Sequence, residues 1–253
     1  MNIIAISVNK KFRNNLKKQF SDYKIHFIEP VKYSDMTACQ YYNLIKNQKT
    51  NLLISPGELA CLLSHRRALE FCIKSNYAKA LIIEEDILGS NDDIKKIKKL
   101  SRLISGNSLL HLGGMEDRRS RHLLFGKRVN GQDCYTLHKS SLQFLYRSCS
   151  YLITRTSAAR IKNYFDRNMA NQLILADSWR LIAKEAKIKV FISLILKHPV
   201  DLTMSTLDSY RGNKYRISYG VKFIRKLQIA LFLLQMVFIY IQGYSRIFAQ
   251  KKR

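Results

Sequence analysis

Six short apolar segments, most of them separated by stretches of helical periodicity, limit the folds open to this chain. They are "NIIAISV" (2–8), "KIHFIEP" (closed by Pro30), the strand at 80–84 within "KALIIEEDIL", "SLLHLGG", "FLYRSCSYLIT" (144–154) and "IKVFISLIL". Between them, "KFRNNLKKQFSD" puts Phe12, Leu16 and Phe20 on one helical face. Residues 55–76 and the lysine-rich stretch 91–104 read as helices, as do "SAARIKNYF" and "ILADSWRLIAKEA". Strands of this length alternating with helices predict an α/β domain with a mainly parallel sheet. Open sheets of that kind bind ligands beyond the carboxyl ends of their strands, so residues at those ends carry the functional expectation.

The best-marked helix start is "SPGELACLLSHRRALEFCIKSN". Ser55 can cap it, Pro56 occupies the first helical position, where its missing N–H costs nothing, and Glu58 completes a capping box. The polar, arginine-rich stretch from Glu116 to Gln132 has no clear period and is expected to be a loop. A hydrophobic fraction of 47% with only 3 Pro and 10 Gly in 253 residues indicates an ordered chain with a substantial core.

Charge is lopsided: 44 Lys and Arg stand against 18 Asp and Glu, a formal +26. Such a surface concentrates polyanions, whether nucleic acid, anionic lipid headgroups or a phosphorylated substrate. No nucleic-acid recognition motif accompanies the charge, so nucleic acid is not the expected partner. The 5 cysteines are scattered, without a CxxC pair or zinc-like spacing, as in a reduced cytoplasmic protein. The apolar run in "MNIIAISVNKKF" is about six residues, a first strand rather than a secretory signal.

Against this basic background, Glu84, Glu85 and Asp86 follow one another directly after a buried-type strand. Three adjacent carboxylates are either a solvated turn or a place where a cation is expected. Mg²⁺ and Mn²⁺ take one or two carboxylates together with phosphate oxygens and water. Position after a strand, in a chain poor in acids, favours the cation site.

Beyond about residue 210 the chain changes character. No Asp or Glu occurs after Asp208, and an apolar helix lies between Lys222, Arg225 and Lys226 on one side and Arg246, Lys251, Lys252 and Arg253 on the other. Its apolar centre, Leu227 to Ile241, is shorter than the roughly 20 residues a spanning helix needs. It is expected to lie in a membrane interface, against anionic headgroups. The competing reading is a core or dimerisation helix. Two regions result: 1–209, a catalytic-type domain, and 210–253, a membrane-associating tail.

"LLISPGELACLLSHRRALEF" followed by "KALIIEEDI" resembles two linked blocks of glycosyltransferase family 25, the enzymes of bacterial lipooligosaccharide and lipopolysaccharide outer-core assembly. Weaker similarity extends over roughly residues 2–208: "IIAISVNKKFR" is similar to the family's opening segment, with Ser7 where Asn is usual. "SCSYLITRTSAARI" and "ILADSWRL" resemble later blocks, with Ser148 or Cys149 standing where Gly is usual.

The resemblance implies an A-type glycosyltransferase fold, a UDP-sugar donor and inversion at the anomeric carbon. It implies a divalent metal, Mn²⁺ or Mg²⁺, held by Glu84 and Asp86, with Glu85 contacting donor ribose or sugar. Ser7, Val8, Asn9 and Arg13 fall at the donor-binding opening block, and His65 lines the site or is a buried structural residue. Asp177 is the candidate base that takes the acceptor hydroxyl's proton, or alternatively a helix N-cap. Asp201 and Asp208 are the runners-up. The expected partners are a UDP-sugar, a lipid-linked anionic oligosaccharide acceptor and the cytoplasmic surface of the inner membrane.

Overall fold

The structure, a computed structural model, describes residues 1–46, 54–116, 118–169, 175–199 and 219–248. Its elements in chain order begin with β1 (Asn2–Ile6), α1 (Lys10–Gln19), β2 (Ile25–Ile28), α2 (Ala38–Ile45), α3 (Pro56–Lys74) and β3 (Lys79–Glu84). There follow α4 (Asn91–Leu100), β4 (Ser108–Gly113), β5 (Phe125–Arg128), β6 (Tyr135–Leu137), β7 (Ser150–Thr154) and α5 (Arg155–Met169). The last are α6 (Trp179–Glu185), β8 (Lys189–Leu196), α7 (Tyr219–Ile241) and β9 (Ser245–Arg246).

The nine strands among the described residues form one sheet in the order β2-β1-β3-β7-β4-β8-β6-β5-β9. Strands β2, β1 and β3 run parallel, as do β4 and β8. Antiparallel β7 is inserted between β3 and β4. Following the pairings outward, β5 also shares the majority direction, while β6 and β9 oppose it. The α/β class with a mainly parallel sheet is therefore what the chain adopts.

Both faces of the central strands are covered, which is why they read as continuous apolar runs. In β1, Ile4 and Ile6 pack with Leu59 and Leu62 of α3, on the face that also receives α5, α6 and α7. Ile3 and Ala5 point the other way, to Leu16 of α1 and to Ile94 and Ile97 of α4. The predicted face of α1 is confirmed at Leu16 and Phe20, both fully buried. The capping box of α3 forms as expected: Glu58 N–H donates to Ser55 Oγ at 3.2 Å and Ser55 N–H to Glu58 Oε2 at 3.0 Å.

Three expectations need correction. Residues 116–132 are more than a loop: they contain a 3-10 turn (Arg119–Leu123) and β5. A four-residue strand near the sheet edge is too short to show a period. The strand expected over 144–154 begins only at Ser150, because Arg147 adopts φ +66°, which no extended strand tolerates. The helix expected across "ILADSWRLIAKEA" starts at Trp179, preceded by a turn.

After the undescribed stretch 200–218, α7 packs onto the sheet edge. The Phe232 ring lies 4.7 Å from that of Phe144 and 5.9 Å from that of Phe125. Just beyond it, β9 pairs with β5. No helix among the described residues is long and apolar enough to cross a membrane. None of the five cysteines is in a disulfide.

Candidate active site at the ends of β1 and β3

Around β1 the sheet order reverses: β2 lies on one side of it and β3 on the other. In open α/β sheets the crevice at such a switch point is the usual ligand site. Ile6 and Glu84 are paired residues at the ends of β1 and β3, which places Ser7 beside the acidic triplet. The triplet is not a solvated turn, because each of its carboxylates faces a different set of groups.

Glu85 ties the strand ends together. Its Oε2 accepts from Ser7 Oγ (2.8 Å), Val8 N–H (2.9 Å) and Asn9 N–H (3.3 Å). Asn9 in turn caps α1, its Oδ1 accepting from Lys11 N–H at 2.8 Å. Arg13 closes the knot from the first turns of α1, donating to Ser7 O at 2.7 Å and pairing with Glu29 at 3.5 Å. Five of the expected donor-site residues thus form one hydrogen-bonded unit around the β1–α1 turn.

Glu84 faces α3 and β7. Its Oε1 accepts from Ser148 Oγ at 3.1 Å and lies 3.0 Å from His65 Nε2. Burial pushes this carboxyl up, but the hydrogen bond from His65, with help from the His198 charge and Ser148, more than offsets that and holds it below the usual carboxylate range. His65 Nδ1 lies 3.0 Å from the Tyr151 hydroxyl. Burial raises the Tyr151 phenol well above its ordinary value, so it stays protonated and can donate. A tautomer with Nε2–H toward Glu84 satisfies the whole chain. His65 is therefore both buried and site-lining.

Asp86 faces a residue that sequence reasoning missed. Its Oδ2 lies 3.0 Å from Nε2 of His198, whose Nδ1 lies 2.8 Å from the Pro199 carbonyl. With both ring nitrogens on acceptors the ring is held as imidazolium. Burial alone would lower its pKa, but the Asp86 hydrogen bond and charge carry it above the ordinary histidine value. His198 arrives here through a bridge between Leu88 and Lys197, whose N–H groups donate to each other's carbonyls at 2.8 and 3.0 Å. Its position just past β8, at a strand's carboxyl end, was the available signal.

Asp86 Oδ1 is buried and has no hydrogen-bond partner among the described residues. An orphaned carboxylate oxygen beside an imidazole fits a divalent cation, which would satisfy the oxygen and replace the proton on Nε2. A second donor set is close by: single ligand atoms of Cys61, His65 and Glu84 all lie within 4.8 Å of one another. Its sulfur suits softer ions than Mn²⁺ or Mg²⁺.

Asp177 does not cap α6. The cap position belongs to Ser178, which makes no side-chain cap bond. Instead Asp177 Oδ2 accepts from Arg147 N–H at 3.0 Å. The Arg147 carbonyl receives Trp179 Nε1–H at 2.8 Å and His111 Nε2–H at 2.9 Å. Its guanidinium donates to Gly114 O at 2.8 Å. This clamp stabilises the left-handed Arg147 and aims its neighbour Ser148 at Glu84, so the segment 147–148 joins Asp177 to the acidic triplet. His111, Arg147 and Trp179 carried no sequence signal of this role. Asp201 and Asp208 lie outside the described residues.

The family described as glycosyltransferase family 25 (LPS biosynthesis protein) matches residues 1–177, ending on Asp177. No curated protein matches significantly. Among solved structures, a mannose-1-phosphate geranyltransferase from Thermus thermophilus is similar at 11% identity and TM-score 0.36, over 78% of this chain and 59% of that one. The galactosyltransferase LgtC, in complex with donor and acceptor sugar analogs, is similar at 11% identity and TM-score 0.34, over 76% and 73%. Likenesses of this size decide nothing about fold or site.

Proposed function

The chain belongs to glycosyltransferase family 25, and from that premise we propose that it moves a hexose, galactose foremost, from a UDP-sugar to a lipooligosaccharide or lipopolysaccharide core acceptor. The transfer inverts the anomeric carbon, on an A-type fold, and depends on Mn²⁺ or Mg²⁺. The observation that carries this reading is the buried, unpartnered Oδ1 of Asp86, next to His198 at the switch point of the sheet.

Asp86 would hold the ion, with Glu84 on the same strand end and His198 opposite. When bound, the ion supplies Lewis-acid stabilisation of the negative charge growing on the departing diphosphate. The remaining work falls to the chain. The knot of Ser7, Val8, Asn9, Arg13 and Glu85 shapes the turn at which the donor's nucleotide end would be bound. Asp177, fixed by the Arg147 N–H, takes the proton of the acceptor hydroxyl as that oxygen attacks the anomeric carbon from the face opposite the diphosphate. His65, held between Tyr151 and Glu84, positions Glu84. The basic tail would keep the enzyme at the cytoplasmic surface of the inner membrane, where a lipid-linked, phosphorylated acceptor is exposed.

The test is UDP release from a panel of UDP-sugars in Mn²⁺, with and without purified core oligosaccharide. Oligosaccharide-stimulated release is expected for one sugar. Asp86→Asn should lower it at least about a hundredfold, the weight of a few kcal/mol of charge stabilisation. Undiminished, Mn²⁺-dependent release by the variant would refute the metal assignment.

A further inference from the structure

Helix α7 has two apolar sides. One is used: Phe232 and Ile239 are 2% exposed against the sheet edge, with Ile229 and Met236 packed beside them. The other is open. Leu227, Leu231, Leu234, Phe238 and Ile241 recur at alternating steps of four and three residues and are 50, 51, 72, 68 and 76% exposed. Such a continuous stripe of large aliphatic and aromatic groups marks an interaction surface.

Alongside the stripe runs a cleft of about 730 Å³ between α6 and α7, lined among others by Lys139, Arg180, Lys184, Leu231, Phe232 and Gln235. Leu231 belongs to both stripe and cleft. None of the cleft's lining residues is acidic. Lys184 has a partner in Glu185 at 3.4 Å, but that exposed pair neutralises little. Among the described residues, Arg180 donates to the neutral amide of Gln143, at 3.2 Å.

We propose that the outer stripe of α7 and the adjoining basic cleft form one docking surface for a bilayer leaflet containing anionic phospholipid. The stripe enters the acyl boundary and the cleft takes a phosphate-bearing headgroup. This rests on the membrane reading of the tail and gives it a face and a headgroup site. Apolar stripe and cations side by side match what a leaflet surface presents: acyl chains directly beneath phosphates. A second copy of the chain would suit the stripe's spacing, but it would bring the same cations together, and no acid after Asp208 is present to pair with them. Helix α6 also links the surface to the site: it begins at Trp179, which holds Arg147, and carries Arg180 and Lys184 into the cleft. Docking therefore orients the crevice relative to the leaflet.

The experiment is flotation of the full chain with vesicles of neutral phosphatidylcholine, with or without phosphatidylglycerol, in the absence of any sugar. Wild type should float with the anionic vesicles and much less with the neutral ones. Arg180→Gln/Lys184→Gln should weaken anionic binding by about twenty-fivefold, at about fivefold per cation, and flatten its salt dependence. Leu234→Gln/Phe238→Gln, changed on the exposed face, should lose binding to both vesicle types while retaining transfer to delipidated oligosaccharide. Equal binding to neutral and anionic vesicles would overturn the headgroup cleft. Absent flotation, or a concentration-dependent dimer abolished by Leu234→Gln/Phe238→Gln, would overturn the docking surface. Flotation needs no turnover, so its outcome is separate from that of the transferase reading.

Discussion

Three adjacent carboxylates end up with three different tasks, and the differences come from what each faces. Glu85 accepts three hydrogen bonds on one oxygen and serves as a structural tie for the β1–α1 turn. Glu85→Ala removes the acceptor shared by the Ser7 hydroxyl and two solvent-exposed N–H groups and should cost about 0.5–1.5 kcal/mol, read from the urea midpoint, whereas Glu85→Gln, which keeps an acceptor, should cost much less. Equal losses in the two variants would contradict the tie. Glu84 is held through Oε1 by His65 and Ser148, while Asp86 keeps a buried oxygen without a hydrogen-bond partner among the described residues, the feature of the triplet that fits a cation. That a cation site was expected here was legible from the triplet's place after a strand. What the two expected ligands, Glu84 and Asp86, each face was not, because their neighbours Ser148 and His198 are far away in sequence.

At the scale of elements, the signals that survived intact were local ones. The box at Ser55 and Glu58, the apolar face of α1 and the buried runs of β1 and β3 depend on residues within a turn or two of each other, and each appears as expected. Failures occurred where a distant clamp overrides local preference. The run before β7 looks extended, yet Arg147 is forced into the left-handed region by bonds to Asp177, Trp179, His111 and Gly114. The end of β4 shows the same dependence. Gly113 has φ +131°, and a Cβ there would overlap the carbonyl oxygen of Leu196 in β8. Gly113→Ala should therefore destabilise by at least about 1–3 kcal/mol from backbone strain alone, seen as a lowered unfolding midpoint. A neutral result would mean that β4 and β8 do not approach so closely.

Over the whole molecule, charge and burial meet in the pH dependence of stability. Burial pushes the pKa of His111 down from 6.5 to about 4 in the folded protein, despite its bonds to backbone carbonyls. Between those values the unfolded chain binds the proton more readily, so stability falls as pH drops from about 6.5 to 4. The full difference is about 3 kcal/mol. His198 has a raised folded pKa, so its contribution is present below 6.5 and is lost only as pH rises through the folded value. Glu84, held low, gives up its contribution as pH falls below 4.5. Urea titrations from pH 7 to 4 should show the acid slope, and His111→Gln, which can still donate to Arg147, should flatten it; an unchanged slope would assign it elsewhere. By itself the sequence determined the α/β class, the apolar faces, the caps, the acid triplet at a strand end and the basic apolar tail, since all of these are written in spacings of two to four residues. Tertiary structure alone decided that β7 runs antiparallel between β3 and β4, that His198 meets Asp86, that Arg147 links Asp177 to Glu84, and which side of α7 is left open. Those outcomes depend on which strand ends become neighbours, and sheet order is set by packing between segments tens of residues apart, where no local period reaches.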